Sequence, residues 1–242
     1  MKRIIALWAH PRSRSTALER VFMERGDFHV IHEPFAALYY LHEQRAAAVE
    51  AELDTSQPSD FTAIRDRILN HSQTSNVFFK DMCYHCHDHL IDDKTMLEKV
   101  DHVFLVRDPK PTIASHFAKN PDVTMEEIGY ERQASLFDVV HRVEGSPPIV
   151  VCAETLVAEP TLILSELCQR LGIPHYPEAI RWSSGQQEEW KDWQSWHEGV
   201  ADSQGLSRQH TRYDRTVDND QALARFYQYH LPFYRHMYRY RI

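Results

Sequence analysis

Two short stretches of the chain concentrate groups that hold oxyanions. The first, Pro11-Arg12-Ser13-Arg14-Ser15-Thr16, follows an apolar run, opens a helix-like one, and offers two guanidiniums and three hydroxyls. The second joins Arg107, at the end of "VFLVR", to Ser115 eight positions later in "DPKPTIAS". A guanidinium makes forked, charge-assisted hydrogen bonds to a phosphate, and a hydroxyl adds one more donor. Each stretch also has a plainer reading: the first as an exposed basic turn with a serine N-cap, Arg107 as an ion-pair partner of Asp108. Glu33 in "VIHEPF", and Lys80 and His85 in "FFKDMCYH", stand at or just beyond strand-like runs.

Groups so far apart in sequence need a scaffold that converges them. Arg3 to Ala9, "RIIALWA", reads as a buried strand, and a helix from about Ser15 carries Leu18, Val21 and Phe22 at helical spacing before Gly26 stops it. "FHVIHEPF" is a second strand ended by Pro34. Phe35 to Leu53, with Ala46, Ala47, Ala48 and Ala51, favours a helix, and Asp60 caps another running to about His71. Strand signals recur at Asn76 to Lys80, Asp101 to Arg107 and Pro147 to Ala153, separated by helix-like sequence. Unbroken apolar strands alternating with helices predict an α/β fold, a parallel sheet flanked by helices on both faces. In such a sheet the turn after the first strand opens at the carboxyl edge, where the next helix presents free N–H groups to an anion. A helix initiated by Pro109 or Pro111 puts Ser115 on the same side of that crevice as Arg107.

Residues 1–242 read as a single domain. The polar stretch 181–210, with four tryptophans, is expected to act as a lid or substrate-side segment. The aromatic, basic stretch 220–242 is expected to be a C-terminal packing helix or a homodimer contact, with Pro232 interrupting it.

With 27 Lys and Arg against 35 Asp and Glu, a net charge of −8, the chain lacks a broad footprint for nucleic acid, so an anion site must be a local concentration of donors. No apolar run approaches the roughly 18 residues that span a bilayer, and the opening run is too short for a signal peptide, which predicts a cytoplasmic protein without membrane insertion. Four cysteines are too few for a disulfide framework. Cys83, His85, Cys86, His87 and His89 crowd together in "MCYHCHDHL", but no second ligand pair accompanies them, so no metal is expected.

Taken together, Pro11-Arg12-Ser13-Arg14-Ser15-Thr16 and Arg107 with Ser115 resemble the two phosphate-binding motifs of the sulfotransferases that use 3′-phosphoadenosine 5′-phosphosulfate (PAPS). "PIVVCAETLVAEPTLILSELCQRLGIP" is similar to that family's late strand and helix, so the resemblance covers roughly residues 1–175. It implies a P-loop NTPase-like sulfotransferase fold. It further implies that the first loop binds the 5′-phosphosulfate of PAPS and that Arg107 and Ser115 bind the 3′-phosphate, leaving the bisphosphate PAP as product. Arg14 stands where the family usually has glycine, and Arg12 where cytosolic members have lysine. Sulfuryl transfer to the hydroxyl or amine of a small-molecule or carbohydrate acceptor requires a general base. The family suggests Glu33, as in members with a glutamate after the second strand, or His85, as in cytosolic members; the "HEPF" context favours Glu33. Lys80 would assist at the bridging oxygen. The competing expectations are a P-loop kinase or NTPase, whose Lys-Ser/Thr pair and glycines are missing here, and a non-catalytic nucleotide-binding protein on the same fold.

Overall fold

Five parallel strands, β1 (Ile4–Ala9), β2 (His29–His32), β3 (Val77–Met82), β4 (Asp101–Val106) and β5 (Ile149–Cys152), form one sheet in the order β2-β3-β1-β4-β5. The structure is a computed structural model and describes residues 2–46, 53–207 and 211–242. The first helices are α1 (Ser15–Arg25), α2 (Phe61–His71), α3 (His87–Leu90), α4 (Lys94–Lys99) and α5 (Pro109–Lys119). They are followed by α6 (Met125–Ile128), α7 (Tyr130–Glu144), α8 (Ala153–Ala158), α9 (Pro160–Leu171), α10 (Gln194–Ala201) and α11 (Gln221–Tyr238).

Both faces of the sheet are covered, which is why its strands are mostly apolar rather than alternating, with Lys80 and Asp81 of β3 as buried exceptions. Ile4, Ala6 and Trp8 of β1 enter one core with Val77, Phe79 and Phe104, closed by Phe137 of α7 and Leu223 and Met237 of α11. Ile5 and Leu7 enter the other with Phe78, Val103 and Leu105, closed by Leu18 and Phe22 of α1 and Leu164 and Leu167 of α9. The exposed edge of β5 is capped by the chain's own end: Arg241 pairs with Val150, and the Ile242 N–H bonds the Val150 carbonyl at 2.9 Å.

Local signals place the helix ends as expected. Gly26 closes α1 at φ 70, Asp60 accepts the Ala63 N–H at 2.9 Å, and Pro109 opens α5 while Asp108 accepts the Lys110 N–H at 2.8 Å. Two expectations need correction. Phe35 to Leu53 is not one helix. A short π-helical turn spans Leu38–His42, and Gln44 then takes φ 53, which no helix accommodates. At the start of this turn the buried Asp81 carboxylate accepts the Phe35 N–H at 2.6 Å, as a cap would, and the expected helix is broken later, at Gln44; Ala47, Ala48 and Ala51 lie outside the described residues. Nor does Pro232 interrupt the C-terminal segment, since α11 runs through it. The carbonyl that Pro232 leaves unpaired is that of Gln228, an exposed residue that water can serve, while Phe226, Phe233, Tyr234 and Tyr238 pack the helix onto the core.

The carboxyl ends of β1 and β4 are locked together from α7. Gln133 donates its amide to the Trp8 carbonyl at 3.0 Å and the Leu105 carbonyl at 2.8 Å. Just beyond, the His10 ring bonds the Pro11 carbonyl at 3.0 Å through Nδ1 and accepts the Arg107 N–H at 3.2 Å through Nε2. Gly129, at φ 90, allows α7 to start against that ring, because a Cβ there would lie 3.0 Å from the Cβ of His10.

Burial holds four histidines neutral in this frame: His10 and His116 fall to about 3, His102 and His230 to about 4. The unfolded chain binds these protons near pH 6.5 and the folded one does not, so the stability they supply is complete above that pH and is lost as pH falls toward 4 and then 3. Thermal unfolding followed by circular dichroism should show a midpoint that drops steadily as pH is lowered below about 6.5. A midpoint that stays flat over that span would show that the buried rings charge in place.

Candidate active site

Between β1 and α1 the chain turns through Arg12 at φ 61 and Arg14 at φ 71, both left-handed. Each such non-glycine residue costs roughly 1–2 kcal/mol. Arg14 thus adopts the conformation a glycine takes freely, and the path of the loop survives the exchange of side chain. Glu33, just before Pro34, is a third case at φ 39. Among the described residues four non-glycines have positive φ, and these three line one cavity, which marks it as the place where the fold stores strain.

That cavity, about 700 Å³, lies at the carboxyl edge of the sheet. Its described lining includes six basic residues (Arg12, Arg14, Lys80, Arg107, Lys110 and Arg212) against three acidic ones (Glu33, Glu127 and Asp218), a local excess of positive charge in a chain of net charge −8. No side chain caps the start of α1, which leaves its first turn open toward the cavity where Ser15 and Thr16 line it. The Ser13 hydroxyl is buried under the loop without a hydrogen-bond partner. Ser13 does not line the cavity, but the open first turn of α1 with Ser15 and Thr16 offers donors that an oxyanion there would satisfy, so these residues fit a phosphate-bearing ligand.

Arg107 and Ser115 do converge with the first loop, each through Arg12. The Arg12 Nε–H donates to Ser115 Oγ at 2.9 Å, and the Arg107 guanidinium donates to the Arg12 carbonyl at 2.7 Å. Asp108 is not the partner of Arg107; it caps α5, and the nearest carboxylate to the guanidinium is that of Glu154, at 4.0 Å. Arg12 also donates to the Trp196 carbonyl at 3.2 Å, so the Trp-rich stretch lies directly against the loop.

Glu33, Lys80 and His85 share the same cavity. Lys80, fully buried in β3, donates to Glu33 Oε1. Burial by itself would raise the Glu33 carboxyl, but the charge of Lys80, with His32, His85 and His197 behind it, holds it well below the usual carboxylate range. His85 bonds the Asp81 carboxylate through Nδ1 at 2.6 Å, and its buried Nε2 has no partner. Burial raises the Asp81 carboxyl, although it also accepts the Phe35 and Met82 N–H groups at 2.6 and 2.8 Å. The remaining members of the Cys/His cluster do not converge on a common point: His87 bonds Ser135 and Asp88, and His89 bonds Glu43. Among the described residues the group whose ligand atoms lie close enough for a metal ion is instead His32, Glu33 and His197, within 4.8 Å. Lys80 already occupies the Glu33 carboxylate and the two imidazoles bond each other at 3.0 Å, so it is a hydrogen-bonded cluster.

The family model for a sulfotransferase domain matches residues 1–240. The chain belongs to this sulfotransferase family. Its fold is shared with the sulfotransferase domain of the Synechococcus PCC 7002 olefin synthase (14% identity, TM-score 0.52, 95% of each chain covered). It is shared too with a sulfotransferase from Alicyclobacillus acidocaldarius (12% identity, TM-score 0.51, 83% of this chain and 93% of that one). Two curated relatives from Arabidopsis thaliana, branched-chain-amino-acid aminotransferase-like proteins 2 and 1, are 26% and 25% identical over 84% and 88% of the chain. The chain spans only 36% and 38% of their length. No helix among the described residues is long and apolar enough to cross a membrane.

Sequence reasoning on this sulfotransferase-family chain passes over Asp81, His32 and Glu154, and places Trp196 and His197 only within a lid-like stretch that could close over a ligand. For Asp81 a signal exists, since an acidic residue inside "VFFKDM" interrupts an otherwise apolar strand. The others are brought in from distant elements.

Removing one member of a buried ion pair strands the other charge, at a cost of about 3–5 kcal/mol, whereas replacing both can be nearly neutral. Lys80→Met should therefore destabilise the protein by about 3 kcal/mol or more in urea unfolding, and Lys80→Met with Glu33→Gln should recover most of that loss. A double variant destabilised by the sum of the two single effects would show that the two side chains are not coupled.

Proposed function

We propose that this sulfotransferase-family protein transfers the sulfuryl group of PAPS to a hydroxyl or amine of a small-molecule or carbohydrate acceptor. The observation that carries the reading is the strained, uncapped loop of Arg12 to Thr16, open to the cavity at Arg12, Arg14, Ser15 and Thr16 and braced by Arg107 and Ser115. In this reading Arg12, Ser13, Arg14, Ser15 and Thr16 hold the phosphosulfate end, and Arg107 and Ser115 the 3′-phosphate. Transfer at sulfur builds charge on the departing phosphate oxygen, which preorganised cationic donors stabilise.

Glu33 serves as general base in a way its pairing makes possible. While Lys80 holds it, the carboxylate is a weak base. When Lys80 turns to the negative charge of the transferring group, the largest opposition to burial is withdrawn, and the carboxyl rises toward the range in which it can take the acceptor's proton. The second reading makes His85 the base, on the specific ground that Asp81 fixes its Nδ1 and leaves its Nε2 unpaired.

Adenosine 3′,5′-bisphosphate without magnesium should raise the melting temperature of the protein; stabilisation by ATP with magnesium alone would overturn the transferase reading. Arg107→Ala should weaken binding of the bisphosphate at least tenfold, the loss expected for a charge-assisted contact of about 1.5–3 kcal/mol. Glu33→Gln should leave binding intact and lower turnover in a labelled-PAPS assay by about a hundredfold or more. Turnover at the parent rate in Glu33→Gln, lost instead in His85→Gln, would transfer the role to His85.

A further inference from the structure

A buried chain of hydrogen bonds runs from α1 through the Trp-rich stretch and back to the phosphate loop. Glu19 is fully buried, accepts the Trp190 indole N–H at 3.1 Å, and meets His32 Nδ1 at 2.8 and 3.1 Å through its two oxygens. His32 Nε2 lies 3.0 Å from His197 Nε2, and His197 Nδ1 lies 3.3 Å from Thr16 Oγ1. None of these contacts is used by the transfer chemistry above.

Counting protons fixes the direction of the chain. A carboxylate only accepts, so His32 carries a proton on Nδ1. With both rings neutral, His32 Nε2 accepts, His197 donates from Nε2, and His197 Nδ1 accepts the single hydroxyl proton of Thr16. In that state Thr16 presents lone pairs, not a donor, to an anion in the cavity. One added proton on His32 Nε2 reverses every downstream bond: His32 donates to His197, His197 donates from Nδ1 to Thr16, and the Thr16 proton is released toward the cavity.

We propose that His32 and His197 are positioning residues for the donor nucleotide, and that binding takes up one proton as Thr16 turns its hydroxyl from His197 to a phosphate oxygen. The inference rests on the nucleotide-binding reading above. The charged and titratable groups facing the two rings are Glu19 from α1, Glu33 from the turn after β2, Lys80 from β3 and Arg12 from the phosphate loop, with His85 reaching Glu33 from behind. Burial first, then His32 and Lys80, keep His197 neutral, which leaves His32, flanked by the Glu19 and Glu33 carboxylates at 2.8 and 3.7 Å, as the ring that accepts the proton. Nucleotide affinity then weakens as pH rises, by up to about tenfold per unit for a single linked proton.

The test is isothermal titration of the protein with adenosine 3′,5′-bisphosphate near pH 8, where the ligand's phosphates are already ionised. Chelator is present, and buffers of differing ionisation enthalpy are compared. The parent should take up about one proton per nucleotide bound, and His32→Gln, which can still donate to Glu19 but cannot be protonated, should bind with uptake near zero. His197→Asn gives the same readout should His32→Gln fold poorly. Binding by the parent without proton uptake, or equal uptake in parent and variants, overturns this inference alone. Absence of any binding by the parent overturns the nucleotide reading, and this inference with it.

Discussion

Lys80 sits fully buried within the sheet, and much of the site follows from the need to neutralise it. An ammonium taken out of water costs several kcal/mol unless a countercharge meets it. The countercharge is Glu33, which reaches Lys80 only because the chain after β2 takes φ 39 and returns its own N–H to the Lys80 carbonyl at 2.8 Å. Backbone strain at Glu33 and charge burial at Lys80 therefore stabilise each other. Together they place a buried cation and a buried carboxylate at the edge of the cavity.

Around that pair the fold spends its polar interactions on holding strand ends. Gln133 ties β1 to β4, and His10 carries the connection one residue further to Arg107. Arg107 in turn braces the Arg12 carbonyl. The left-handed turns at Arg12 and Arg14 are thus over-determined from behind, which is how a loop without glycine keeps a conformation that glycine would adopt freely. Such preorganisation matters for transfer chemistry, because donors fixed in advance need no reorganisation when charge develops.

The Trp-rich stretch is part of this arrangement. Trp190 reaches Glu19, the Trp196 carbonyl meets Arg12, and His197 stands between His32 and Thr16. A segment that reads in sequence as a polar lid is anchored at its aromatic and imidazole positions to the helix and loop that would grip an anion. A ligand held by Arg12 or Thr16 would compete with these contacts, which would couple the stretch to binding.

Much of this was legible from residue types alone. Apolar strands without alternation called for a sheet covered on both faces, Gly26, Asp60 and Pro109 marked helix ends through local backbone chemistry, and the paired motifs at Arg12 to Thr16 and Arg107 with Ser115 marked stretches that the fold brings to one cavity. Local rules failed where the fold departs from propensity: Gln44 at φ 53 breaks the helix expected over Phe35 to Leu53, and core packing carries α11 through Pro232. Only the folded structure decided the partners. That Lys80 is buried and paired, that Ser115 and Arg107 meet Arg12, and that His32, His197 and Thr16 touch at all depend on which side chains meet across 47 to 181 residues of chain. Periodicity and spacing report the neighbours along a chain; hydrogen-bond direction and charge pairing are properties of neighbours in space.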